Sequence, residues 1–318
     1  MSEAPGRGRL VHEAAIYATD AELCRTALPF LTDGIEAQEP TYVILGGRGE
    51  ELIRRELGER PGLHYLPAAE AYVNPALTVQ SYRDVLTGEV EAGARQIRFI
   101  TEVPHPGIGS AWDWWGRYEA AANEIFADLP VWAICTYDER TTPQPVLDEV
   151  VRTHPYLSRR GDVHARNGRY EPPDTFLTRR SCAYTDPLES DDPQVALADP
   201  SLSEARRAAV AVARAQLGSE SADNLALAVS EIVTNAQLYG EPPVELRLWT
   251  GPDRVVASVK DGGTGIHDAT LGLAPVDSER SGGRGLWIAN QLCNHLGISR
   301  GPDGFVIRLV MGTPSIAY

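Results

Sequence analysis

The sequence predicts an α/β protein with two domains: a mostly parallel sheet with helices on its faces, then an α/β sandwich with helices on one face of a mixed sheet. A length of 318 residues suits two domains. Residues 10–158 alternate short apolar runs with helical stretches, which is typical of a parallel sheet with crossover helices. Residues 201–313 follow another order, with two helices, two strands, a Gly-rich loop, a helix and a last strand.

The elements of the first domain are predicted from apolar β-rich runs and from helical spacing. The strands cover residues 41–45, 95–100 and 131–137, and the helices include residues 21–32 and 114–126. Residues 159–200 contain five prolines, many charges and few apolar side chains. We therefore expect a linker there.

The second domain begins with an Ala- and Arg-rich helix and continues with a helix whose apolar residues recur at three- and four-residue spacing. The predicted helices are 203–217, 222–239 and 285–296, and the predicted strands are 244–249, 255–260 and 305–310. The strand at 244–249 alternates apolar and polar residues, so it is expected to be half-buried.

Composition excludes several classes of function. The net charge of −15 is spread along the chain, and it repels phosphate backbones, so no direct binding to DNA or RNA is expected. No run approaches 18 apolar residues, and the N-terminus has no apolar run, so neither a membrane span nor a signal peptide is predicted. A protein partner or a small ligand fits this composition better.

The four cysteines are far apart and form no Cys-x-x-Cys pair: Cys24, Cys135, Cys182 and Cys293. Clustered ligands are needed for zinc, so no zinc site is predicted from this spacing. Scattered cysteines suit a reducing compartment, and we expect a cytoplasmic protein.

Three short motifs in the second domain carry chemistry. Glu231 and Asn235 lie four residues apart, so they share one helix face and can hold a hydrated Mg²⁺ and orient a nucleophile. Asp261 follows a strand in Asp-Gly-Gly-Thr-Gly, where its carboxylate can accept a hydrogen bond from an adenine amine. Gly282-Gly283-Arg284-Gly285-Leu286 opens a helix and can cradle an anion with free N–H groups. Each motif alone is a common surface helix, turn or connection.

Together and in this order, the motifs resemble the N, G1 and G2 boxes of the GHKL ATPases, which have the Bergerat α/β sandwich fold. The resemblance implies that Asn235 binds Mg²⁺, that Asp261 binds adenine, and that ATP is the nucleotide. It also implies further contacts to the nucleotide by Gly263, Gly265, Gly283, Arg284, Gly285 and Leu286, and a short ATP lid at 266–281.

Within this family, residues Val229 to Ala236 resemble the N box of the anti-sigma serine kinases. That resemblance implies that Glu231 is a general base, that a sigma factor and an anti-anti-sigma (STAS) protein are the partners, and that the protein dimerises. One departure is that Gly304 is followed by Phe305, where many relatives have threonine. Two alternatives therefore stay open: a non-catalytic binding module, and a histidine-kinase-like sensor lacking its own phospho-acceptor histidine.

The first domain resembles the MEDS sensory family over about residues 12–157. The matching phrases include Ala27 to Leu31, Trp115 to Asn123, Cys135 to Asp138, and Thr153 to Pro155. The resemblance implies a RecA-like α/β fold, but Gly46 to Glu50 lacks the lysine and hydroxyl of a P-loop, so a sensory domain and no second ATPase is expected.

Several polar and aromatic side chains of the first domain are further candidates. Glu119, Asn123, Asp138 and His154 could carry chemistry, although we expect Glu119 and His154 to satisfy buried polar groups or cap loops. The aromatic side chains of Trp112, Trp114, Trp115 and Tyr118 could line a pocket for a small molecule, although a core role is the commoner one for such a cluster.

Overall fold

The computed structural model describes residues 8–108, 110–159, 162–180, 185–274, 283–301 and 304–313. Cys182, Gly282 and residues 275–281 of the expected lid lie outside this range. The chain divides into two compact units, the first formed mainly by residues up to Phe176 and the second mainly by residues from Leu177 onward.

The first unit contains a seven-stranded sheet in the order β3-β2-β4-β5-β1-β6-β7. Its strands are β1 (Val11–Tyr17), β2 (Thr41–Ile44), β3 (Leu63–Tyr65), β4 (Ile97–Thr101), β5 (Val131–Asp138), β6 (Tyr156–Arg159) and β7 (Asp162–Arg166). The α-helices described in residues 8–180 are α1 (Asp20–Glu36), α2 (Gly47–Leu57), α3 (Ala68–Ala71), α4 (Pro75–Glu91), α5 (Trp112–Ile125), α6 (Gln144–Thr153) and α7 (Pro173–Arg179). All neighbouring strands pair in parallel except β6 and β7. The predicted mostly parallel α/β class is confirmed.

The second unit contains a five-stranded sheet in the order β11-β12-β10-β9-β8. Its strands are β8 (Val195–Ala198), β9 (Glu245–Thr250), β10 (Arg254–Asp261), β11 (His295–Gly301) and β12 (Gly304–Gly312), and its helices are α8 (Leu202–Leu217), α9 (Ser219–Tyr239) and α10 (Arg284–Leu292). The α/β sandwich is confirmed, but the expected mixed sheet is wrong because every pairing of these strands is antiparallel. The reason is that β12 lies between β11 and β10 and pairs antiparallel with both.

Residues 159–200, expected to be a linker, contribute regular structure to both sheets. Strand β7 pairs with β6 in the first sheet, and β8 pairs with β9 in the second. The pairing supplies backbone hydrogen bonds that the proline-rich composition of this segment did not lead us to expect.

Helix α8 starts at a capping box and packs closely on α9. The Ser201 side chain accepts a hydrogen bond from the Glu204 amide, and the Glu204 side chain accepts one from the Ser201 amide, so two amide groups at the helix start are satisfied. Ala205, Ala209 and Ala213 are fully buried, and their small side chains allow a close approach of the two helices.

The apolar face of α9 forms the core against the sheet. Leu225, Val229 and Ile232 are buried there in one cluster with Leu246 of β9 and Ala257 of β10. This packing fixes the rotation of α9, so Glu231 and Asn235 are held at one edge of the buried face.

No helix among the described residues is both long enough and apolar enough to cross a membrane.

Candidate functional site

A cavity of about 320 Å³ in the second unit brings the predicted motifs together. Its wall is formed by α9, the end of β10 and the loop after it, the start of α10, and β12. Five of the predicted site residues line it: Asn235, Asp261, Gly265, Gly283 and Leu286. The other four, Glu231, Gly263, Arg284 and Gly285, lie next to this wall. The three motifs therefore share one site.

The start of α10 lies against the polar edge of α9. A Cβ atom built on Gly285 would be 2.6 Å from Glu231 Oε2 and 3.2 Å from Asn235 Nδ2. Glu231 and Asn235 are both partly exposed, whereas Gly285 is buried. The carboxylate and the amide thus face the N-terminus of α10 at van der Waals distance, and only glycine permits this approach.

Asp261 is buried at the end of β10, where backbone N–H groups orient its carboxylate. Its Oδ1 accepts a hydrogen bond of 2.7 Å from the Gly263 amide and a longer one of 3.4 Å from the Glu241 amide. Gly240 caps the C-terminus of α9, and a Cβ atom there would be 2.5 Å from Asp261 Cγ. The absence of a side chain at Gly240 lets the carboxylate lie against the end of α9 and face the cavity.

The Gly-rich loop after β10 closes over an aromatic side chain. Gly265 has a φ of +76°, which glycine adopts freely, and a Cβ atom there would be 2.1 Å from the Phe305 ring. Phe305 is paired with Asp261 across β10 and β12 and is buried in the core while lining the cavity. The phenyl ring thus lies where many GHKL relatives are expected to have a threonine.

Gly283 caps the N-terminus of α10, and its φ of +88° turns the chain into the helix without a side chain at the cap. The N-terminal N–H groups of a helix attract anions. Arg284 is exposed, while Leu286 is buried against Gly272, where a Cβ atom would be 2.5 Å from Leu286 Cγ. This turn can therefore present peptide N–H groups to a ligand in the cavity.

Sequence reasoning did not single out several residues that line the cavity. They are Ile266, His267, Asp268 and Leu271 of the loop, together with Tyr239 at the end of α9. The four loop residues fall inside the lid predicted at 266–281, so their position in the sequence indicated the region, but no motif identified them individually. Tyr239 is 71% exposed, so most of its side chain is accessible to solvent at this wall.

The start of α2 at Gly46, where the sequence lacks P-loop residues, lies against the side chain of Glu102. The Gly46 amide, at the cap of α2, donates a hydrogen bond of 3.2 Å to Glu102 Oε2. Burial raises the pKa of Glu102 above its usual value. A carboxyl group thus lies against the start of α2, and the expectation that this domain is no second ATPase stays a prediction.

The other candidates named in the sequence of the first domain are buried or partly buried. Asn123 donates to three backbone carbonyls, and Glu119 accepts a hydrogen bond of 3.0 Å from the Tyr137 hydroxyl. Asp138 forms an ion pair with Arg140. The aromatic side chains are buried as well: Trp112, Trp114, Trp115 and Tyr118. Of these four, Tyr118 lines an apolar cavity.

The fold and the cavity define the second unit as a histidine kinase-like ATPase domain, since residues 195–311 match the family of that description. Residues 11–155 match the family described as the MEthanogen/methylotroph, DcmR sensory domain (MEDS). The chain is therefore a sensory MEDS domain followed by a histidine kinase-like ATPase domain, and both resemblances are confirmed. No curated protein matches the sequence. The anti-sigma branch stays a prediction.

Proposed function

We propose that this protein is an anti-sigma regulatory kinase of the cytoplasm. Its C-terminal domain binds Mg-ATP, sequesters a sigma factor and phosphorylates a serine of an anti-anti-sigma (STAS) protein, under control of the N-terminal sensory domain. The observation that supports this most strongly is the shared cavity, in which α9, the carboxylate after β10 and the start of α10 converge.

The cavity suits an adenine nucleotide in size and in chemistry. Its volume of about 320 Å³ is at the lower end of the range of roughly 300–1,000 Å³ typical of ligand sites. Asp261 supplies an oriented acceptor for the adenine amine, and its neighbour Gly263 holds that carboxylate in place. At the other end, the N–H groups from Gly283 to Gly285 supply donors for phosphate oxygens.

Mg²⁺ would be held by the side-chain oxygen of Asn235, next to the start of α10. Magnesium prefers oxygen ligands and keeps several waters, so one amide oxygen together with phosphate oxygens is a sufficient donor set. The ion would neutralise charge on the phosphates during transfer.

Glu231 lies one helical turn before Asn235 and faces the same glycine of α10. In the proposed reaction its carboxylate takes the proton of the serine hydroxyl while the serine oxygen bonds to the γ-phosphorus and the bond to ADP breaks. General base catalysis of this kind contributes roughly 10²- to 10⁴-fold to the rate.

The test is transfer of labelled phosphate from ATP to a STAS protein of the same genome. Glu231→Gln should reduce transfer by about 100-fold or more while leaving ATP affinity within a few-fold of the wild type. Glu220→Gln, an exposed glutamate in the first turn of the same helix, is the matched control and should transfer at the wild-type rate. Undiminished transfer by Glu231→Gln would remove the assignment of the base.

Phe305 favours a second candidate, a partner-binding module that does not use ATP catalytically. Its ring packs on Gly265 and forms part of the cavity wall beside Asp261. Under this alternative a titration with Mg-ATP shows no binding, while the domain still binds a sigma factor. Under the first proposal the domain binds both Mg-ATP and a sigma factor.

A further inference from the structure

Four buried side chains of the first unit point donor atoms at one another. They are His12 on β1, Glu119 on α5, Cys135 on β5 and His154 directly after α6, and their donor atoms all lie within 4.8 Å of one another. Strands β1 and β5 are neighbours, with Ala14 opposite Cys135 in the register, so the sheet itself sets this proximity. The residues come from four separate elements, which explains why their spacing in the sequence gives no sign of a cluster.

The proton of His154 is located by its backbone partner. Its Nδ1 lies 2.8 Å from the Val150 carbonyl oxygen, which can only accept, so Nδ1 carries a hydrogen. The neutral ring therefore has a lone pair on Nε2. That atom lies 3.0 Å from Glu119 Oε2, a carboxylate oxygen that also carries lone pairs.

The ring of His12 is oriented in the same way. The Asn123 amide nitrogen donates to the carbonyls of Glu119, Ala120 and Thr153, which fixes the orientation of that amide. Its oxygen therefore faces His12 Nδ1 at 3.2 Å and takes the hydrogen of that nitrogen. The neutral His12 ring likewise presents a lone pair, on an Nε2 that is 3.1 Å from Glu119 Oε2.

Two imidazole lone pairs thus converge on one carboxylate oxygen, an arrangement that repels unless something positive lies between them. Protons on both rings would create two adjacent imidazolium ions against one carboxylate, in a site where His154 and Glu119 are fully buried. Uncompensated buried charge is costly. A divalent cation bound by two neutral imidazoles, one carboxylate and one thiolate carries no net charge.

We propose that this cluster is a metal site for a divalent transition ion of the zinc type, with His12, Glu119, Cys135 and His154 as its ligands. Nitrogen, sulfur and carboxylate oxygen are the donors that zinc prefers, at bond lengths of about 2.0–2.3 Å. Tetrahedral ligands at those lengths are about 3.2–3.8 Å apart. The observed contacts of 3.0 and 3.1 Å to Glu119, and 3.4 Å between Cys135 Sγ and His12 Nε2, are close to that range.

The surroundings of the four ligands support the assignment. Metal-bound histidines usually donate their second ring N–H to a carbonyl or carboxylate, and both rings do so here, to Val150 and to the amide oxygen of Asn123. His12 and Cys135 also line the apolar cavity of the first unit, so this cavity of about 40 Å³ lies directly beside the cluster.

The experiment uses the full-length protein, stripped of metal with a chelator and then titrated with Zn²⁺ and Co²⁺. We expect one Zn²⁺ per chain by elemental analysis after dialysis. Co²⁺ should give the visible absorption of a tetrahedral site together with a thiolate-to-cobalt band in the near ultraviolet. Failure to retain stoichiometric Zn²⁺, or an octahedral Co²⁺ spectrum without the thiolate band, would overturn the proposal.

Two cysteine variants locate the site. Cys135→Ser should lose the thiolate band and bind Zn²⁺ at least tenfold more weakly. Cys24→Ser changes a partly exposed cysteine outside the cluster, and it should keep the thiolate band and the wild-type affinity for Zn²⁺. Retention of the band in Cys135→Ser would refute the assignment. Should Cys135→Ser fail to fold, Glu119→Gln provides the second variant and should weaken Zn²⁺ binding by a similar factor.

Discussion

Gly285 and Glu231 are in direct contact across α10 and α9: a Cβ atom on the glycine would lie 2.6 Å from Glu231 Oε2. This separation is shorter than any ordinary carbon–oxygen contact, so the residue at the start of α10 has no space for a side chain. The contact connects the motif expected to bind phosphate with the motif expected to hold Mg²⁺ and the general base.

The change Gly285→Ala should displace the Glu231 carboxylate and impair both nucleotide binding and phosphoryl transfer. We expect at least a tenfold loss of ATP affinity and a destabilisation of about 1–3 kcal/mol, as for other overpacked buried sites. Calorimetric titration and urea unfolding measure the two effects. Gly301→Ala is the matched control, because nothing lies within 4 Å of its added methyl group, and it should bind ATP normally. Equal affinities of the two variants would contradict the contact.

Gly265 and Phe305 should be coupled energetically because the ring occupies the space of a Cβ atom at the glycine. Gly265→Ala should cost more than 2 kcal/mol of stability, since it combines a clash at 2.1 Å with a φ of +76°. In the double variant with Phe305→Ala the clash is removed. A double-mutant cycle should therefore give a coupling of about 1–3 kcal/mol, and strict additivity would show that the ring does not pack there.

The buried ion pair between Asp186 and Arg254 should stabilise the second unit. The Arg254 guanidinium donates to both Asp186 oxygens, at 2.9 and 3.0 Å, and the Asp186 side chain is fully buried. Arg254→Met removes both of these hydrogen bonds and the opposite charge from a buried carboxylate, so we expect a loss of about 3 kcal/mol in the free energy of unfolding. Arg247→Met removes the exposed pair with Glu245 and should cost less than about 1 kcal/mol. Similar losses for the two variants would contradict this account.

The free energy of unfolding of the first unit should decrease as the pH is lowered from about 6.5 to about 4, because His105 is held neutral in the folded state. Burial lowers the pKa of His105 to about 4, although Asp138 nearby favours the charged form. Its Nδ1 accepts the Gly107 amide at 3.2 Å, so the native state holds the neutral ring. As the pH falls through the unfolded pKa of about 6.5, the unfolded chain binds a proton that the folded chain does not, and unfolding becomes easier.

The size of this effect can be isolated by substitution. One pKa unit corresponds to about 1.4 kcal/mol, so His105 should account for roughly 2–3 kcal/mol of the loss between pH 7 and pH 4. His105→Asn keeps an acceptor near Gly107 but does not titrate. Urea unfolding at pH 7 and at pH 4 should show that the free energy of unfolding of this variant falls by about 2 kcal/mol less than that of the wild type. Parallel pH profiles would rule out His105 as a source.

The local patterns of the second unit were sufficient to predict most of its elements and the motifs of its site. Helix α9 was predictable because Leu225, Val229 and Ile232 recur at helical spacing and Gly240 ends the run. Strand β11 was missed because Cys293 and Leu296 continue the helical pattern of α10, so its formation depends on pairing with β12. Such pairing is decided by tertiary structure and not by local sequence.

In the first unit, the interior strand β1 and the place of His12 and Cys135 in the polar cluster were both missed for one reason. Strand β1 contains His12 and Glu13, polar residues that interrupt any apolar run, yet both are buried because His164 and Ser158 contact Glu13 and the cluster surrounds His12. Buried polar groups with partners distant in sequence leave no periodic signal. Cys135 likewise appeared isolated because its neighbours in the cluster come from other elements.

The most direct test of the ATP site is a calorimetric titration of Mg-ATP into the full-length protein and its Asp261→Asn variant. The cavity predicts one binding site in the wild type and at least a tenfold weaker one in Asp261→Asn, because the carboxylate acceptor facing adenine is lost. Asp223→Asn, at an exposed position of α9, is the control and should bind like the wild type. An Asp261→Asn variant that binds Mg-ATP as tightly as the wild type, or a wild type that does not bind it, would contradict the nucleotide site on which the proposed kinase depends.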